Sequence, residues 1–92
     1  MFAIAFDMTV AEIRVHYPKG ISSAYSEIGR TLAPFGFERV QGSVYTNHST
    51  DLAPLHDAIV ALKSLPWFRK CARGVRVFRV ENWSDFTKSV KG

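Results

Sequence analysis

Cysteine is almost absent from this chain of 92 residues, which holds only Cys71. A single thiol can neither close an intramolecular disulfide nor supply a multi-cysteine zinc site. Small secreted domains usually carry several, so a reducing cytoplasm is expected. Long apolar runs are missing too. The opening run Phe2-Ala3-Ile4-Ala5-Phe6 is cut by Asp7 and has no basic segment before it, so neither a signal peptide nor a membrane span is expected. There is no glycine-rich phosphate loop and no dinucleotide fingerprint, and Gly42-Ser43 lacks the spacing of a nucleophile elbow. His16, His48 and His56 stand far apart without metal-ligand spacing. Acids are scarce: eight Asp and Glu against twelve Lys and Arg leave a net charge of +4, a balance that favours polyanionic partners such as RNA or DNA.

What is present is enough for one small domain, residues 1–92, with no repeat, linker or low-complexity tract. Hydrophobic residues make up 47%, so a packed core can form, but so short a chain leaves apolar surface uncovered and self-association is the natural remedy. Alternation places Phe2, Ile4 and Phe6 on one face of a strand and Ala3, Ala5 and Asp7 on the other. Thr9 to Lys19 reads as a polar connection closed by Tyr17-Pro18-Lys19-Gly20. Ser22 or Ser23 can cap a helix with Ile21, Tyr25, Ile28, Leu32 and Phe35 on one stripe, ended by Pro34 and Gly36. Phe37 to Thr46 reads as strand, with Gly42 making it either one bent strand or two short ones. Thr50 or Asp51 caps a second helix bearing Leu52, Leu55, Ile59 and Leu62. Leu65 to Phe68 ends that helix and begins an aromatic connection. Val75 to Val80 forms the last strand, and Trp83 to Val90 a short terminal helix. Strands interleaved with helices in this order point to an α+β ferredoxin-like βαββαβ sandwich. Both helices would lie on one sheet face, and the bare face would be available for dimerisation.

Asp7 has no evident structural purpose at the end of a two-faced strand, so it is the first candidate for chemistry. In an unbroken strand Arg39, Gln41, Ser43 and Tyr45 share a hydrogen-bonding face, whereas a bulge at Gly42 would move Ser43 and Tyr45 to the side opposite Arg39. From Arg69 to Arg79 runs a basic stretch whose guanidinium groups, Arg76 and Arg79 among them, can grip phosphates. Trp67, Phe68 and Phe78 nearby could stack on unpaired bases. Cys71 lies beside cations that would lower its pKa, but no His or Asn is placed to make it a nucleophile.

Met1 to Asp7, Ala33-Pro34-Phe35-Gly36-Phe37-Glu38-Arg39, Val40-Gln41-Gly42-Ser43-Val44-Tyr45, Leu62 to Phe68 and Trp83-Ser84-Asp85-Phe86 resemble, in order and spacing, the bacterial virulence-associated protein D family. That family is similar in turn to small ferredoxin-like CRISPR-associated nucleases, which share the strand-ending aspartate and an Arg-Val-Gln-x-Ser-Val-aromatic run, here Arg39 to Tyr45. The resemblance implies a homodimeric endoribonuclease acting on single-stranded or messenger RNA. In some bacteria it would be a toxin paired with a small antitoxin, with a role in virulence or persistence. It implies Asp7, Ser43 and Arg39 as catalytic residues, with Tyr45 at a further family position near the same cleft and Gln41 between them on the substrate. The basic stretch read above adds Arg76 and Arg79 as expected RNA contacts. It also implies a magnesium ion held by Asp7 and its symmetry mate, since one carboxylate alone makes a poor magnesium site. Without magnesium, the RNA 2′-OH would attack its own phosphate. The additional C-terminal strand of the CRISPR-associated group is missing after Trp83, so their adaptor role in spacer integration is not carried over.

Overall fold

Alternation at the N terminus builds the central strand of the molecule, which a computed structural model describes over residues 1–92. In β1 (Phe2–Met8) the bulky residues Phe2, Ile4 and Phe6 enter the main core, while Asp7 stands in solvent. α1 (Val10–His16) follows, then α2 (Ile21–Leu32) with a 3-10 turn at Ala33–Phe35, and the hairpin of β2 (Glu38–Gln41) and β3 (Val44–Asn47). After these come α3 (Leu52–Lys63), α4 (Pro66–Cys71), β4 (Ala72–Arg79) and α5 (Thr87–Lys91). The four strands form one antiparallel sheet in the order β2-β3-β1-β4, compatible with the ferredoxin-like arrangement. No helix is long and apolar enough to cross a membrane.

The core lies between one face of this sheet and the helices. Ile28 and Leu32 from α2, and Leu55, Ala58 and Leu62 from α3, pack on Phe2, Ile4, Phe6 and Tyr45, with Phe37 and Phe68 closing the ends. The face away from this core carries Thr46, Ala3 and Phe78 in one row and Val44, Ala5 and Arg76 in the next. Its middle is small and Phe78 is 44% exposed at its margin.

Two connections depart from the sequence expectation. The stretch read as a polar connection contains α1, because the Thr9 hydroxyl accepts from the Glu12 N–H at 3.2 Å and Ile13 and Tyr17 bury against Ala24 and Cys71. With only that narrow apolar stripe, α1 depends on its cap and on tertiary packing rather than on amphipathic length. The aromatic connection is α4, opened by Pro66 in its first turn, where a missing N–H costs nothing. The strand question at Gly42 resolves to two short strands joined through Gly42, whose φ of 44° suits a turn. Gly20, at φ 97°, caps α2, and Ser22 and Ser23 lie inside the helix. Asp51 caps α3 by accepting from the Ala53 N–H at 3.0 Å.

Both irregularities of the sheet fall at the end where Asp7 stands. In β4 the register shifts between Asp7 and Met8, and in β2 between Arg39 and Gln41.

Candidate active site

Asp7 closes β1 on the face opposite the helices. Its Oδ2 accepts from the Arg73 Nη2 at 3.0 Å, and both side chains are 63% exposed. With Ala5, Phe6, Gly74 and Arg76 they line a depression of about 390 Å³. An open, cation-flanked carboxylate of this kind can hold or move a proton beside a bound phosphate, and the guanidinium groups can take the phosphate oxygens.

The other candidates do not gather around Asp7 within one chain. Arg39 pairs with Tyr45 across the hairpin on the helix side of the sheet. Its Nε donates to the Gly42 carbonyl at 2.7 Å, and its guanidinium lies 5.3 Å from the Tyr25 ring centroid. Ser43 turns its hydroxyl to Tyr25, Oγ to OH 3.2 Å, while its carbonyl accepts from the Phe6 N–H at 3.1 Å. Tyr45 is buried and its ring stacks on Phe6 at 5.8 Å. Burial pushes its hydroxyl above the usual phenol range, against the opposing pull of Arg39. Arg39 and Tyr45 do share a groove of about 500 Å³ with Ser22, Tyr25 and Ser26. Of the two expectations for the hairpin, the one that moved Tyr45 to the side opposite Arg39 fails, since the two lie on the same side.

Gln41 sits in the irregular part of β2 and, with Val40, borders a groove shared with Trp83, Asp85 and Phe86 of the C-terminal segment. Arg76 is opposite Ala5 on the Asp7 side. Arg79 is opposite Phe2 at the far end of the sheet, its guanidinium 5.6 Å from the Phe2 ring centroid. The basic strand thus sends its arginines to two different places. Cys71 is fully buried and donates to the Glu12 carbonyl at 3.4 Å. Burial, helped by the Glu12 charge, pushes its thiol up, where the neighbouring cations in sequence had pointed down.

Sequence reasoning missed two residues here. Tyr25 was placed on the core stripe of α2, which accounts for its ring but not for its hydroxyl. Arg73 stood undistinguished in a run of cations, because a bulge that re-aims one side chain leaves no periodic trace.

The residues of one chain do not fit a magnesium ion. No three His, Cys, Asp or Glu side chains cluster anywhere, Asp7 is the only carboxylate in its depression, and Arg73 already takes one of its oxygens. A single carboxylate that already gives one oxygen to Arg73 makes a poor magnesium site unless a second carboxylate joins it.

No family profile matches the chain. Among curated proteins it is 55% identical over 91 residues to an endoribonuclease VapD homolog of Neisseria gonorrhoeae, covering 99% of each. It is 48% identical over 92 residues to endoribonuclease VapD of Dichelobacter nodosus, covering 100% of this chain and 99% of the relative. With endoribonuclease VapD of Haemophilus influenzae it shares 47% identity over 91 residues, again 99% of each. Identity at this level over the full length of each protein shows that the chain belongs to the VapD family.

Proposed function

We propose that this chain is an endoribonuclease that cleaves single-stranded RNA, messenger RNA included, in the cytoplasm, with Asp7 as its reacting carboxylate. The observation that carries the reading is the setting of Asp7, an exposed acid at the end of a buried strand with two arginines lining the same depression. Full-length kinship to curated endoribonucleases supports the reaction class. Cleavage needs an oxygen nucleophile, water or the RNA 2′-OH, to form a bond to phosphorus as the bond to the leaving ribose oxygen breaks. Asp7 takes the proton that the nucleophile loses, and guanidinium groups take the charge that grows on the phosphorus-bound oxygens. Arg76, in the same depression, is the nearest further RNA contact, and Gln41 and Arg79 would meet RNA farther along the sheet. Arg39, Ser43 and the buried Tyr45 stand on the helix side, away from Asp7 in one chain.

A homodimer through the sheet face away from the helices brings the half-buried Ala5 against a second copy and covers Phe78. It would set two Asp7 residues near one another, the only arrangement in which magnesium has a place. In the cell the enzyme would serve as the toxin of a pair with a small antitoxin, with a role in virulence or persistence.

The test is a gel of RNA oligonucleotides incubated with wild type and Asp7→Asn, each with magnesium and with chelator, alongside sedimentation of both proteins. Wild type should cut, and Asp7→Asn should lose most of the cutting while sedimenting as the same dimer. Equal cleavage by both proteins removes Asp7 from the mechanism. Salt-sensitive RNA binding without cleavage by either would make the chain a binding module instead.

A further inference from the structure

β4 carries an extra residue beside Asp7. From Phe2 opposite Arg79 to Asp7 opposite Gly74 the ladder is regular, and then Met8 pairs with Ala72, which leaves Arg73 without a partner in β1. In unbroken register Arg73 would stand opposite Met8, which packs against both apolar clusters, and a guanidinium there would be stripped of water. The bulge puts Ala72 in that position and sends Arg73 to the carboxylate. Bulges beside functional sites commonly re-aim a side chain in this way.

The residue opposite Asp7 is Gly74, and a Cβ there would lie 3.2 Å from the Arg76 Nη1. The missing side chain leaves room for the Arg76 guanidinium to lie back along the strand, where it lines the same depression. Opposite Arg76 itself is Ala5, again small. In the single chain, two cations and one anion thus converge at the Asp7 end of the sheet with one positive charge in excess. The Asp7–Arg73 pair is exposed on both sides, so solvent screening makes it easy to exchange.

We propose that Arg73 and Arg76 form the seat of an RNA phosphodiester, and that Arg73 exchanges partners. In the free chain it rests on Asp7, and on binding it moves to the phosphate, leaving both carboxylate oxygens beside the bond to be cut. This rests on the ribonucleolytic reading above and adds to it Arg73, Gly74 and the bulge.

The experiment measures binding of a single-stranded RNA oligonucleotide across a range of salt in the full-length Asp7→Asn chain, with and without Arg73→Ala. The double variant should bind more weakly, with a log–log salt slope shallower by about 0.7, the loss of one phosphate contact. Arg73→Lys in the same background should restore the slope. In the otherwise wild-type chain, Arg73→Ala should reduce cutting chiefly through KM. Equal slopes for Asp7→Asn with and without Arg73→Ala overturn the seat and leave Arg73 as a counter-ion only. Gly74→Ala is a second variant, since its methyl group displaces only the flexible end of Arg76. It should weaken RNA binding with thermal unfolding unchanged, and unaltered binding overturns the part given to Arg76. If wild type neither binds nor cuts RNA, the ribonucleolytic reading fails. If wild type cuts and the slopes agree, only the phosphate seat fails.

Discussion

Asp7 is exposed because it comes one residue after Phe6, the last wholly buried side chain of β1, on the opposite side of the pleat. Burial at position 6 and charge at position 7 are both written in the alternation. The partner of the charge is not, because Arg73 reaches it across 66 residues and only by means of a bulge. Cys71 makes the converse point. Its sequence neighbours are cations, yet the chain buries it against Ile13, Tyr17 and Ala24, where desolvation decides. A thiol held neutral and out of solvent should resist alkylation by iodoacetamide at pH 8 in the folded protein and react readily in urea. Rapid labelling of the folded chain, followed by mass spectrometry, would contradict that burial.

At the scale of elements, the short pieces depend on single contacts. α1 has seven residues, and the Thr9 cap satisfies one of its free N–H groups, so Thr9→Ala should cost about 1 kcal/mol. Gly36 ends the turn after α2 at φ 84°, and a Cβ there would lie 3.0 Å from the Asn47 Nδ2, which donates to the Phe35 carbonyl at 2.7 Å. Strain and crowding act together at Gly36, so Gly36→Ala should be the costlier of the two, by about 1–3 kcal/mol from the backbone conformation alone. Thermal unfolding ranks them, each kcal/mol lowering Tm by about 4–8 °C in a domain of this size. A Thr9→Ala loss as large as that of Gly36→Ala would mean that α1 holds more of the fold than its length implies. The helices with long apolar stripes, α2 and α3, were legible in the sequence. α1 and α4 were not, since six or seven residues give a period too little room to repeat.

For the whole molecule, burial of Cys71 and Tyr45 links stability to alkaline pH. Both groups have folded pKa values raised chiefly by burial, so as pH climbs past their ordinary ranges the unfolded chain gives up its protons first. The unfolded state then binds fewer protons than the folded one, and the free energy of unfolding falls with rising pH. The contribution is complete below about pH 8.5, the ordinary thiol value, and is lost progressively above it. Urea midpoints should decline from pH 8 to pH 10, and Tyr45→Phe combined with Cys71→Ala should flatten the decline. An equally steep decline in the double variant would assign it to other groups.

By itself the sequence determined the interleaving of strands and helices, the two faces of β1, the family, and Asp7 as the residue to mutate first. These follow from alternation, helical period and residue order, all of which are local. Only the tertiary structure decided that Arg39 and Tyr45 turn to the helix side while Arg76 turns to the open side, and that Arg79 lies at the other end of the sheet. It alone also brought Arg73 to Asp7. The reason is register: a bulge of a single residue changes which side chain meets which across the sheet without altering the hydrophobic pattern of either strand.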